Sequence, residues 1–346
     1  MAFHQFIQRL LLIGAHLEQL PPAPAPRPPE VLVPLIESIA NARRAFDQRA
    51  LLYGHRYRSG FWMIYMLSAI AVLFAVLPMA LGWDSPQHQL HSYAALWALG
   101  EVIVIASVSV IYWRGHRHRW QGEWLRARTT AELSRYLPLL APLIDFSAPA
   151  TEPNWYMRVF APHQHLRTGG EIGGLCSRNE VLARERLTHA WSDQEFVASY
   201  SRWAIEILEE QRHYHHGIAT RQHALLHRVH LVTSWLFGLT AAAALTHLVV
   251  HKIWLTMITT FFPAFGASLH GALAQSEAYR LGKTSERLVA QLQNAIDSIR
   301  GAITGARTTG GGIASIQRSI EQALRLILDE HQDWHLLVRP HALPLG

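Results

Sequence analysis

Residues 61–83 read FWMIYMLSAIAVLFAVLPMALGW, a stretch without a single charge. A helix of about 20 apolar residues, rising about 1.5 Å per residue, matches the roughly 30 Å hydrocarbon core of a bilayer. Trp62, Tyr65 and Trp83 stand near its ends, where amphipathic rings favour the membrane–water boundary. Pro78 is compatible with such a span because neighbouring helices re-satisfy the carbonyl it frees. A polar loop, DSPQHQLH at 84–91, leads into a second apolar run from Ser92 to Trp113, which is interrupted only by Glu101 and a few hydroxyls. A third run covers about Val229 to Val250 and a fourth Ile253 to Ala274, joined by His251 and Lys252 alone. So short a link allows only an antiparallel reversal. The expected fold is all-α: an integral membrane protein with four transmembrane helices as two antiparallel hairpins, plus cytoplasmic helices.

Outward from these runs the chain is solvated in character. Its 346 residues are 50% apolar but only 16% charged, and the apolar ones concentrate in the four runs. The net charge of +6 is the excess expected of cytoplasmic flanks facing anionic lipid, so nucleic acid is not an expected partner. Arg43, Arg44, Arg49, Arg56 and Arg58 precede the first run, and Arg114, Arg117, Arg119, Arg126 and Arg128 follow the second. Arg212, Arg221 and Arg228 precede the second hairpin and Arg280, Lys283 and Arg287 follow it, whereas the two hairpin loops hold only Lys252. This asymmetry predicts both termini and the middle segment on the cytoplasmic side of the membrane. Cys176 is the one cysteine, which excludes an intramolecular disulfide or a multi-cysteine zinc site within one chain.

Five segments follow. Residues 1–30 comprise a short amphipathic helix, which stays on the protein, and a spacer, PPAPAPRPPE at 21–30, whose prolines remove helix donors. Residues 31–137 form a first helix–hairpin–helix unit; Leu35, Ile39, Ala42 and Phe46 recur at helical steps before its spans. Residues 138–192 read as an irregular cytoplasmic connector, with five prolines and four glycines between Pro138 and Leu175. Residues 193–303 form a second unit, whose last helix continues from the fourth span and carries Leu288, Leu292, Ile296, Ile299 and Ile303 as an apolar stripe. Residues 304–346 hold a glycine-rich break, an amphipathic helix with Ile313, Ile316, Ile320, Leu324 and Ile327 on one face, and a tail.

The two halves share this plan, and short matches fall at equivalent places: DQR at 47–49 against EQR at 210–212, and RTTAEL at 128–133 against KTSERL at 283–288. They point to a tandem duplication. The first half resembles the SLATT group of bacterial two-span domains in Trp124, Arg128, Ala131 and Glu132 of the helix leaving the hairpin. The second half is similar to related hairpins in Gln211, Tyr214 and His215 before the spans, in FPAFGASLHG at 262–271, and in Glu277 and Arg280 after it. The resemblance covers about residues 45–135 and 200–335, and the chain departs from the usual arrangement in carrying two hairpins. It implies a pore-forming or membrane-perturbing effector of a bacterial defence system. The resemblance further implies a trigger from a separate sensor or nucleotide-signalling protein.

Little else in the sequence suggests chemistry. His116 with His118, His163 with His165, and His213 with His215 are two apart and diverge on a helix. His223 and His227 have the helical metal spacing without an evident carboxylate, so no metal and no cofactor are expected. GGEIGG at 169–174 lacks the Lys-Ser/Thr ending of a phosphate loop and reads as a turn, and no catalytic constellation points to an enzyme. In the fourth span Ala264, Ala267, Ser268, Gly271 and Ala272 form a face of small residues, suited either to contact between copies, as expected of a homo-oligomer, or to packing within the hairpin. Glu101, the sole acidic residue in a span, should face the bundle or a wet pathway, with Ser107, Tyr65, Thr256, Thr259 or Thr260 as available partners. Two other functions stay open: a small ion channel or transporter using Glu101, and a membrane scaffold for a cytoplasmic partner.

Overall fold

A computed structural model describes residues 2–18, 20, 26–83, 93–144, 146, 171–309 and 312–337. The helices are α1 (Phe3–Leu11), α2 (Val33–Ala80), α3 (Ala94–Arg117), α4 (Trp120–Leu140), α5 (Glu171–Leu187), α6 (Gln194–Val249), α7 (Trp254–Gln275), α8 (Ala278–Thr309) and α9 (Ile313–Leu337). Among the described residues there is no strand, and three single 3₁₀ turns complete the regular structure. Four helices are long and apolar enough to cross a membrane: the part of α2 ending at Ala80, α3, the later part of α6, and α7. The outer loop, residues 84–91, lies outside the described residues.

The chain divides into two compact units that cut across the five sequential segments. One comprises Met1–Leu17, Gly54–Gln121 and Thr220–Gly282; the other comprises Glu18–Tyr53, Gly122–Ala219 and Lys283–Gly346. Each half of the sequence thus contributes its apolar hairpin to the first unit and its flanking helices to the second.

The first unit contains the apolar spans, and much of their surface is not covered by protein. None of the most apolar stretch of α3 is buried, and even in α7 only 28% is. Val102, Ile103, Val110, Trp235, Phe237 and Leu245 are all exposed, a surface that only hydrocarbon or another apolar surface can match. The protein is a membrane protein on this ground. Within the first hairpin, glycines set the approach of α2 and α3. A Cβ on Gly100 would lie 2.6 Å from the Phe74 ring, and the Trp120 ring occupies the space where Cβ atoms of Gly60 and Gly115 would point, at 3.2 and 3.3 Å. The Phe74–Trp97 and Trp83–Trp97 ring pairs, with centroids 5.5 and 5.1 Å apart, close the far end.

Both second spans end in a sharp break rather than running on. Arg119 (φ 46°) separates α3 from α4, and Glu277 (φ 52°) separates α7 from α8. The continuous helix expected through the fourth span is therefore two helices, because one left-handed residue redirects the chain.

The second unit is held by an apolar cluster drawn from six helices. Leu35 and Ile39 of α2, Leu133 and Leu137 of α4, Ile172 and Cys176 of α5, Tyr200 and Leu208 of α6, Leu292 and Ile296 of α8, and Ile320 and Leu324 of α9 are all buried in it. The stripes of α8 and α9 supply much of this core, except that Ile313 is 38% exposed. Two further differences concern glycine. The GGEIGG stretch is no turn over its later residues, since α5 begins at Glu171 and takes in Gly173 and Gly174. Packing Ile172 and Cys176 in the core outweighs the roughly 1 kcal/mol that each helical glycine costs. Helix α8 likewise runs on to Thr309, leaving a short break before α9.

Candidate functional site

In the first unit the candidate is Glu101. Its helix turns one stripe toward α2, marked by Trp97, Gly100, Val104, Val108 and Ile111, all partly buried, and Glu101 lies on this stripe. Among the described residues its carboxylate makes no hydrogen bond and no ion pair. Two of the sequence-level partners have their hydroxyls bonded elsewhere. The Ser107 hydroxyl donates to the Ile103 carbonyl at 2.7 Å, and the Thr259 hydroxyl to Thr256 at 3.1 Å. The Tyr65 ring lies against Gly271, in the space a Cβ there would occupy.

That last contact also locates the small-residue face of α7. Gly271 receives a ring from the first hairpin and Ala272 is fully buried, so this end of the face packs within the chain. A Cβ on Gly266 would meet the Thr233 methyl at 3.2 Å, which is packing within the second hairpin. Ala264 and Ser268 are partly buried, while Ala267 is exposed and remains accessible to another molecule. Below the face, the Glu277 carboxylate lies 3.6 Å from the Arg280 guanidinium, and a hydrogen bond from Gln275 to the Tyr57 hydroxyl, 3.1 Å long, ties α7 to α2.

In the second unit, residues singled out in both halves of the sequence come together. Arg128 reaches Glu132 one turn on, at 3.3 Å, and donates to the Tyr214 hydroxyl of α6 at 3.2 Å. Trp124 and Ala131 are buried on the same helix, and Gln211 and His215 are buried on α6. The His215 ring shares a hydrogen bond with the Ser285 hydroxyl at 3.3 Å, so α6 is bonded to α4 on one side and α8 on the other. Sequence reasoning missed another link of the set: Arg135 to Glu210 at 2.5 Å, next to Gln211 in the chain. It also missed Arg300 to Glu209 at 2.6 Å and the buried Tyr200, whose hydroxyl donates to the Leu139 carbonyl at 2.5 Å. Opposite charges are frequent on solvated helices, so no sequence signal marks which of them meet.

Beside this cluster lies a cleft of about 430 Å³. Ile39, Arg43, Asp47, Arg135, Trp203 and Glu210 line it. Two of its arginines pair with its acids, Arg43 with Asp47 at 3.7 Å and Arg135 with Glu210, while the third, Arg44, donates to the Asn41 side-chain oxygen. Burial, then the nearby Glu180, pushes the Cys176 thiol up to about 12, which leaves it a packing group and not a nucleophile. Among the described residues no three His, Cys, Asp or Glu side chains gather as a metal site, and His163 and His165 lie outside those residues. No protein-family model, curated protein or solved structure matches this chain.

Proposed function

We propose that several copies of this protein assemble in a bacterial inner membrane and open a path for ions, as the effector of a defence system switched on by a separate sensor or nucleotide signal. The termini and the segment between the hairpins lie in the cytoplasm, where the basic flanks belong. One observation supports the reading above the others: among the described residues Glu101 has no polar partner, on a helix whose apolar stretch is unburied. A carboxylate in hydrocarbon costs about 2.5–3.5 kcal/mol on insertion scales, and an unsatisfied one is not left to lipid. Water in a pathway, or a polar group from a second copy beside α3, supplies what the described residues do not. Four spans are too few to enclose a wide channel, which also favours several copies around the path. The resemblance of Trp124, Arg128, Ala131 and Glu132 to membrane-hairpin effectors agrees with this role.

Ion flux through purified protein in liposomes tests it, wild type beside Glu101→Gln. The variant should fold and assemble normally yet lose flux or change its selectivity. Equal flux and selectivity remove Glu101 from the mechanism. Neither depolarisation nor growth arrest on triggered expression in a bacterial host would leave the protein a scaffold.

A further inference from the structure

Helix α1 has more apolar surface than the protein covers. Phe3, Ile7 and Leu11, followed by Leu12, pack against a buried cluster built from Phe61, Trp62, Leu225, Val229, Leu269 and Leu273. His4 is buried on the same side, its ring bonded to the Ser59 hydroxyl at 3.1 Å. The next strip is Phe6 and Leu10 of the helix, continued by Ile13 in the turn just past its end; they are 50%, 55% and 69% exposed. Gln5, Gln8 and Arg9 occupy the remaining side. Three sectors therefore follow one another around α1: one on the protein, one apolar and uncovered, one polar. A helix lying along a membrane surface beside a protein has this division, with its apolar sector toward acyl chains and its polar sector toward headgroups and water.

The level at which α1 docks fits the same surroundings. Its cluster marks the border between charged and apolar sequence on three helices at once. Arg56 and Arg58 precede Phe61, Arg228 precedes Val229, and Glu277 and Arg280 follow Leu273. On the apolar side of that border the spans expose Leu231, Trp235 and Phe237, so α1 docks at the level where uncovered apolar surface begins. Burying about 5–10 Å into the boundary of headgroups and acyl chains is the usual depth of such a helix.

We infer that α1 is an interfacial helix seated in the bilayer surface, with Phe6, Leu10 and Ile13 in the acyl boundary and Arg9 among the lipid phosphates. The inference requires only that the spans cross a membrane and is independent of any pore. The full chain, with Cys176 replaced by Ala, is spin-labelled at Phe6→Cys, Leu10→Cys or Ile13→Cys, and for comparison at Gln5→Cys or Gln8→Cys. It is reconstituted in vesicles of phosphatidylethanolamine and phosphatidylglycerol. Labels at 6, 10 and 13 should collide preferentially with oxygen and those at 5 and 8 with a water-soluble nickel complex. Equal nickel access at all five positions would overturn the proposal, as would spin–spin broadening at 6, 10 and 13, which would put a second copy on the strip. A second measurement needs no substitution: a lipid with a photoreactive group in its upper acyl chain should form adducts on Phe6, Leu10 and Ile13 of the wild-type chain. Adducts confined to the spans would give the opposite answer.

Discussion

His4 and Gly100 make the clearest single-residue predictions. Burial, then Arg58 and His55, lowers the His4 imidazole from its ordinary 6.5 to about 4, so the docked ring facing Ser59 is neutral. A histidine whose folded value is depressed contributes stability above its unfolded value and loses it as pH falls toward the folded one. Docking of α1 should therefore be complete above about 6.5 and weaken steadily toward 4. Hydrogen exchange of Phe3–Leu11 across that range checks this, and His4→Gln should flatten the response. Gly100→Ala should destabilise the first hairpin by about 1–3 kcal/mol, read as thermal unfolding in detergent, because its Cβ would stand 2.6 Å from the Phe74 ring. Gly122→Ala is the control: nothing lies within 4 Å of that position, so the helix gains up to about 1 kcal/mol.

Helices here are long where the sequence has no reason to stop and break where one residue forces it. Val33–Ala80 runs as a single 48-residue helix because no proline interrupts it between Pro34 and Pro78. Arg119 shows the opposite case: its left-handed backbone lets Trp120 turn back between Gly60 and Gly115. Arg119→Val should destabilise the protein by about 1–2 kcal/mol, since a β-branched side chain crowds that conformation, whereas Arg119→Gly should be tolerated. Thermal unfolding of the two variants side by side makes the comparison, and equal melting would remove the break as a source of strain. The apolar runs and the stripes of α8 and α9 were legible as elements. The breaks were not, because neither Arg nor Glu advertises a positive φ.

For the molecule as a whole, the basic flanks predict one orientation. Fusion reporters should place the N-terminus, residues 140–190 and the C-terminus on the cytoplasmic side and 84–91 outside; a periplasmic signal from the middle segment would exclude two hairpins. Sequence by itself determined the number and length of the spans and the amphipathic character of α8, α9 and the N-terminal helix. Those are properties of composition and period, and a bilayer imposes them on any chain. Tertiary structure decided which residues meet: Tyr65 on Gly271, Trp120 between Gly60 and Gly115, Arg135 on Glu210, and Arg128 on Tyr214, 86 positions away. It also decided that Glu101 has no polar partner among the described residues and that Phe6, Leu10 and Ile13 stay uncovered. Small residues and charges recur all along this sequence, and only the fold selects which of them come within 4 Å.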